Sequence, residues 1–405
     1  MSGPQKVIEE KADQLAEKQL SLREIKTWRD AKQIEDHLKT HGELELKGGP
    51  TMPQVEGQVR LKTFCAGDIV SKSLDGTFKL DKVKEILESH RGLDLLVTPE
   101  YSFFPSRWRI QRGDPSTWPR VKLENGRLET VVDNAASRNL ISAVDGMREL
   151  AKEYQTNIVL GTIPLSITLP HEGREIEVVS NAILLIEKDG NIAASRIKTT
   201  GSDHANFPHY ENDTKQIRDA FNEWAVKQAD LFVMHTREGK RLTAYSFICA
   251  DCGDNAILAK FKDKPADLYI YSGVNGDDAG AGWLTFNIQK GLASFENYIT
   301  KSIRENGLLE QNKGVVLFSH PDQAGRFDGT GAYYLFSDLF SYHQGSDLPS
   351  RLGEKENAYS NCSYAADHLA VSSLGGVYAE FRIPPSPVEL PESIRWRRKL
   401  PSIQH

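Results

Sequence analysis

Between residues 57 and 383, short and continuously apolar runs alternate with amphipathic stretches of helical period, a pattern that few folds accommodate. The strand candidates are QVRLKTF, LDLLVTP, NIVLGTI, NAILLIE, LTAYSFICA, DLYIYSG, GVVLFSH, AYYLFS and the pair HLAVSSL and VYAEFRI. Several are apolar at consecutive positions, which is the mark of strands covered on both faces. LDKVKEILESH and RNLISAVDGMRELAKEY instead repeat their apolar residues every three or four positions and are expected as helices lying on such sheets. The alternation predicts an α/β layer structure. Asn125-Gly126, Asp189-Gly190 and Gly375-Gly376 each supply a residue tolerant of positive φ between two extended runs, so hairpins are expected and the sheets are mixed. Neither GxGxxG nor GxxxxGKS occurs, and with them goes the phosphate cradle of nucleotide-binding folds.

The flanks differ in kind. Residues 1–56 are expected as a helical extension and linker: Ser21 and Glu24 form a capping-box pattern, Leu22, Ile25, Trp28, Ile34 and Leu38 follow at helical spacing, Gly42 ends the run, and KGGPTMPQVEG is turn-rich. This region reads as two helices outside the sheet. Residues 57–383 form the main domain. Residues 384–405, proline-rich with a basic RWRRK cluster, read as an extended arm. Both flanks expose apolar residues with no place in a single domain, so a homo-oligomer is expected.

Composition narrows the function classes. The chain has 405 residues, of which 39% are hydrophobic and 26% charged, an ordinary globular balance. Fifty Lys and Arg against 56 Asp and Glu leave a net charge of −6, so no overall basic field exists to hold nucleic acid. No apolar run is long enough to span a bilayer and the start carries no apolar signal core, so no membrane association and a cytoplasmic location are expected. Four cysteines are too few to staple such a chain and lack zinc-site spacing. Cys249 and Cys252 do form a Cys-x-x-Cys, but at the end of a buried strand rather than opening a helix in a small redox domain. His204 and His209 have no evident third ligand, so no metal and no organic cofactor is expected.

Three strand ends carry a reactive residue directly after a buried apolar run: Glu100 in LDLLVTPEY, Lys198 in AASRIKTT and Cys249 in AYSFICAD. Singly each has a plain structural reading. Together they form a working set. A thiol needs a base to become a nucleophile, and a shielded carboxylate accepts and returns that proton. Attack on an amide carbonyl creates an oxyanion, which an ammonium and the backbone N–H of Ala250 stabilise. The chemistry that such a set implies is acyl transfer from a carbon–nitrogen bond to sulfur, then hydrolysis of the thioester.

These segments resemble the nitrilase, or carbon–nitrogen hydrolase, superfamily. VTPEY is similar to the family's Pro-Glu-aromatic segment and implies Glu100 as general base, with Tyr101 beside the substrate. In DGNIAASRIK the lysine follows the turn glycine by eight positions, as in the family's catalytic hairpin, and FICAD resembles its nucleophile strand, with an acidic residue, Asp251, two places after the cysteine. The order Glu, Lys, Cys is also the family's, and supporting likenesses run from about Gly57 to Arg382. The resemblance implies a four-layer αββα sandwich with mixed sheets, often paired across subunits, and makes residues 57–383 a catalytic domain.

Within that resemblance Cys-x-Asp looks more like amidases, whereas nitrile hydrolysers more often carry Cys-Trp-Glu. A small-molecule amide is therefore the expected substrate, with nitrile hydrolysis, acyl transfer to an amine, or a catalytically silent interaction module as the alternatives. There are departures: Ala250 stands where many members carry an aromatic residue, and CGDNAI replaces an Arg-Phe-Pro-like stretch. Glu211 is the candidate for the family's second glutamate, at a wide spacing of 13 residues from Lys198. Asn275, Asp277, Asp278 and Trp283, in a loop after a strand that in this family reaches the site, are candidate substrate contacts, although such residues also serve ordinary turns.

Overall fold

The computed structural model describes residues 38–45, 56–66, 80–100, 102, 118–199, 215–248, 251, 254–261, 266–272, 315–319, 342–343 and 367–383. Among them are β1 (Glu43–Glu45), β2 (Val59–Ala66), α1 (Leu80–Ser89), β3 (Leu95–Val97), β4 (Arg120–Glu124), β5 (Arg127–Val132), α2 (Ala135–Tyr154) and β6 (Asn157–His171). There follow β7 (Arg174–Ile186), β8 (Ile192–Ile197), α3 (Lys215–Gln228), β9 (Phe232–His235), β10 (Arg241–Ile248), α4 (Asn255–Phe261), β11 (Leu268–Ser272), β12 (Val315–Ser319), β13 (Tyr342–His343), β14 (His368–Ser372) and β15 (Gly376–Ile383). No helix among the described residues is long and apolar enough to cross a membrane.

An eight-stranded sheet has the order β1-β14-β15-β2-β3-β6-β7-β8, and a five-stranded sheet the order β13-β12-β11-β10-β9. Both are mixed. β2, β3 and β6 are mutually parallel in the first, and β10, β11 and β12 in the second, with antiparallel strands outside them. β4 and β5 form a separate hairpin through Asn125 and Gly126, both at positive φ, tied to β7 by the Arg120–Glu177 ion pair.

Alternation along the strands divides the larger sheet into two buried faces. Phe64, Leu96, Ile158, Leu160, Leu184 and Ile186 meet Val83, Ile86 and Leu87 of α1 and Leu140, Val144, Met147 and Ala151 of α2. The helix residues recur every three or four positions, which gives α1 and α2 one apolar stripe each. Asn134 caps α2 by accepting the Ser137 N–H at 2.7 Å, and Gln155 ends it in a left-handed conformation. Each fully buried Leu, Ile or Phe in this layer contributes roughly 1.5–3 kcal/mol of transfer free energy.

The intervening residues Cys65, Leu95, Val97, Val159, Ile183 and Leu185, all fully buried, face the second sheet. Asn157 Nδ2 donates to the His235 carbonyl, and Ser272 Oγ to the Thr98 carbonyl, across the two sheets. The far side of the second sheet carries α4: the Tyr245 and Phe261 rings meet edge-on at 4.2 Å, and Tyr245 Oη donates to the Phe261 carbonyl. The layers therefore run helix, sheet, sheet, helix, as expected.

Three features differ from expectation. Residues 43–45 do not stay outside the sheet but form its edge strand, paired antiparallel with β14, because Gly42 at φ 80° stops the preceding helical turn and reverses the chain. β6 and β7 extend far beyond their apolar cores into a hairpin closed by Glu172 and Gly173 at positive φ. Pro164 and Pro170 fall beyond Asn157–Val159, the stretch over which β3 pairs with β6, where a strand tolerates proline. β9 and α3 were not anticipated. AYYLFS, residues 1–37, most of the linker and residues 384–405 lie outside the described residues.

Candidate active site

Glu100 and Lys198 follow strands that are not neighbours: β6 and β7 lie between β3 and β8. Three strand spacings are about 14 Å, too far for the two side chains to meet directly. The chain beyond β3 closes that gap by crossing over β6. Thr98 N–H still pairs with the Val159 carbonyl at 3.0 Å, but Thr98 Oγ1 then accepts the Gly161 N–H at 2.6 Å, and the Pro99 carbonyl passes over Gly161. An ideal Cβ at position 161 would lie 1.7 Å from that carbonyl oxygen, so only glycine leaves room for the crossing. The β6–β7 register shifts at the same place, between Leu160 and Ile163.

The crossing delivers Glu100 to the end of β8. Lys198 Nζ lies 2.9 Å from Glu100 Oε1, with the side chains 6% and 1% exposed. Asn181 of β7 serves both residues: its Nδ2 donates to Glu100 Oε1 at 3.3 Å, and its carbonyl accepts the Lys198 N–H at 2.9 Å. A buried ion pair adds little net stability, because desolvation offsets the attraction, but losing one partner costs about 3–5 kcal/mol.

The second sheet approaches through Asp251, which is fully buried. Its Oδ1 accepts the Thr199 N–H at 3.0 Å and Thr199 Oγ1–H at 3.1 Å, and Arg196 Nη2 lies 3.4 Å from Oδ2. Arg196, itself buried, also donates through Nε to the Ser246 carbonyl and through Nη1 to the Ile197 carbonyl. Burial lowers the guanidinium's pKa, and the Asp251 carboxylate works against that shift. The residues on either side of Lys198 thus grip Asp251, two places beyond Cys249.

Of the residues singled out from sequence, Glu100 and Lys198 are brought together. Cys249 and Ala250 lie outside the described residues, as do Tyr101, Glu211, Asn275, Asp277, Asp278, Trp283, His204, His209 and Cys252. Among the described residues no group of three or more His, Cys, Asp or Glu is placed to hold a metal ion. Sequence reasoning missed Thr98, Asn181, Arg196 and Thr199 as parts of the site. Two of them carried a signal: Asn181 opens the apolar run AILLI, and Arg196 is a charge between residues that end in the core.

No protein-family model and no curated protein matches this sequence. Solved structures do overlap with it. Nit3 of Saccharomyces cerevisiae, described as a member of branch 10 of the nitrilase superfamily, is 14% identical, with 80% of this chain and 90% of that chain covered and a TM-score of 0.43. An amidase from Nesterenkonia sp. is 13% identical, with 83% and 94% covered and a TM-score of 0.42. A carbon–nitrogen hydrolase from Helicobacter pylori G27 is 13% identical, with 80% and 88% covered and a TM-score of 0.39.

Proposed function

We propose that the chain is a cysteine-dependent hydrolase of a non-peptide carbon–nitrogen bond, with a small amide as substrate. The observation that carries this reading is the buried Glu100–Lys198 pair, held beside an Asp251 that is anchored two residues from Cys249. In the proposed cycle Glu100 takes the Cys249 thiol proton and the thiolate attacks the carbonyl carbon. Lys198 and the Ala250 N–H stabilise the oxyanion. Glu100 then protonates the departing nitrogen as the carbon–nitrogen bond breaks, leaving a thioester. Water, deprotonated by Glu100, attacks the thioester, and the carboxylic acid leaves as the thiol is restored.

A nitrile would enter the same cycle through a thioimidate, and an amine in place of water would make the protein an acyltransferase. Asp251 after the cysteine favours the amide by resemblance. The test is intact mass of the full chain after exposure to a panel of small amides and nitriles. An acyl adduct on Cys249, absent from Cys249→Ala, is expected. Turnover undiminished in Cys249→Ala would overturn the reading.

A further inference from the structure

We propose that Arg196 is a positioning residue for the nucleophile, an inference that rests on the hydrolase reading above. One guanidinium reaches three places. Nε binds the Ser246 carbonyl at 3.1 Å, three residues before Cys249; Nη2 faces Asp251, two residues after it; and Nη1 binds the Ile197 carbonyl at 3.0 Å, directly before Lys198. Both flanks of the cysteine are therefore fastened to the strand that ends in the lysine. Arg196 is 2% exposed and Asp251 is fully buried, so the pair forgoes hydration that apolar residues of similar volume would not have to give up. Its retention between the sheets is explained by the geometry it imposes.

Lysine cannot replace this fork, because an ammonium is a point charge without three donors splayed in one plane. Arg196→Lys keeps the charge that neutralises Asp251 while releasing the Ser246 and Ile197 carbonyls. A displacement of about 1 Å between nucleophile and carbonyl is enough to cost on the order of a hundredfold in rate.

The experiment is single-turnover acylation of the full chain by p-nitrophenyl acetate, an activated ester, reading p-nitrophenolate release. Burst amplitude counts competent molecules, and burst rate reports how well the thiolate is placed. Arg196→Lys is expected to keep the amplitude of the parent protein and to lose rate by tenfold to a hundredfold. It should also keep the parent's pH midpoint for acylation, since the base is untouched. Reduced amplitude at unchanged rate, or no change in either, would overturn the positioning role while leaving the hydrolase reading intact. Absence of a Cys249-dependent burst in the parent protein would overturn both. If Arg196→Lys fails to fold, Asp251→Asn decides the same question: with Oδ1 kept on Thr199, its amide nitrogen is a donor that cannot accept from Nη2, while the arginine's two carbonyl bonds remain. A rate lowered tenfold or more at full amplitude is then expected, and the parent's rate would end the proposal. Failure of both variants to fold would make the pair structural and end the proposal.

Discussion

The carbonyl oxygen of Pro99 occupies the space in which a side chain at Gly161 would begin, 1.7 Å from an ideal Cβ. The contact is to backbone, so nothing yields without moving the segment that carries Glu100. Gly161→Ala is therefore expected to cost about 1–3 kcal/mol of stability by overpacking and to separate Glu100 from Lys198. Acylation should fall more steeply than the unfolding midpoint. An alanine variant with the parent's burst rate would show that the crossing does not place the base.

The burial of the Glu100–Lys198 pair predicts a non-additive double-mutant cycle. Lys198→Met and Glu100→Gln each leave a buried charge without its partner and should destabilise by about 3–5 kcal/mol, whereas the double variant should recover much of that loss. Denaturant unfolding of the four proteins measures the coupling. Activity should not recover with stability: Lys198→Met is expected to lose about a hundredfold in acylation at every pH, while Glu100→Gln regains rate at high pH, where the thiol ionises unaided.

Cys65 is fully buried, and burial pushes its thiol pKa well up. Iodoacetamide should modify Cys249 first in the native protein and reach Cys65 only on unfolding. Peptide mapping after brief exposure decides this; equal labelling of the two would remove the case for an activated thiol.

His90 predicts an acid-sensitive fold. It packs between Phe64 and Tyr378, with Glu43 and His368 facing the same cluster, and its Nε2 is buried without a hydrogen bond. Burial, and then the charge of His368, lower its pKa from 6.5 to about 4. Between those values the unfolded chain holds the extra proton, so stability present above pH 6.5 is lost as pH falls toward 4. The loss should be on the order of 3 kcal/mol. Glu43, whose pKa burial raises, acts in the opposite sense, so the measurement is a comparison: His90→Phe should flatten the decline between pH 7 and 4.5. An unchanged slope would place the acid sensitivity elsewhere.

Self-association is expected from the apolar residues of both flanks. Light scattering at micromolar concentration should give a mass of at least two chains, and removal of residues 384–405 should weaken assembly more than folding. A monomer would contradict the expectation.

Glu100 and Lys198 were legible in the sequence because each stands directly after an apolar run, a local mark of a strand end at the core's edge. Their meeting was not, since it depends on strand order and on a glycine in a third strand. Asn181 and Arg196 were opaque for a related reason: their partners are 81 and 55 residues away, and nothing near them in the chain shows a polar group being satisfied. Residues 43–45 sat in a stretch of helical composition, and only pairing with β14, more than 300 residues on, makes them a strand. The layer architecture was easier to read because binary patterning acts along every strand and helix at once, so single misreadings do not alter it.

The division of the site between two sheets orders events during synthesis. A nascent chain that has emerged through Thr199 already contains Glu100, Lys198, Gly161 and Asn181, but not the segment bearing Cys249. Docking of the later sheet, through Arg196 and Thr199 onto Asp251, is then the step that, in the proposed cycle, completes the catalytic set. Until that point the proposed nucleophile has no base beside it, and a half-made molecule is chemically quiet.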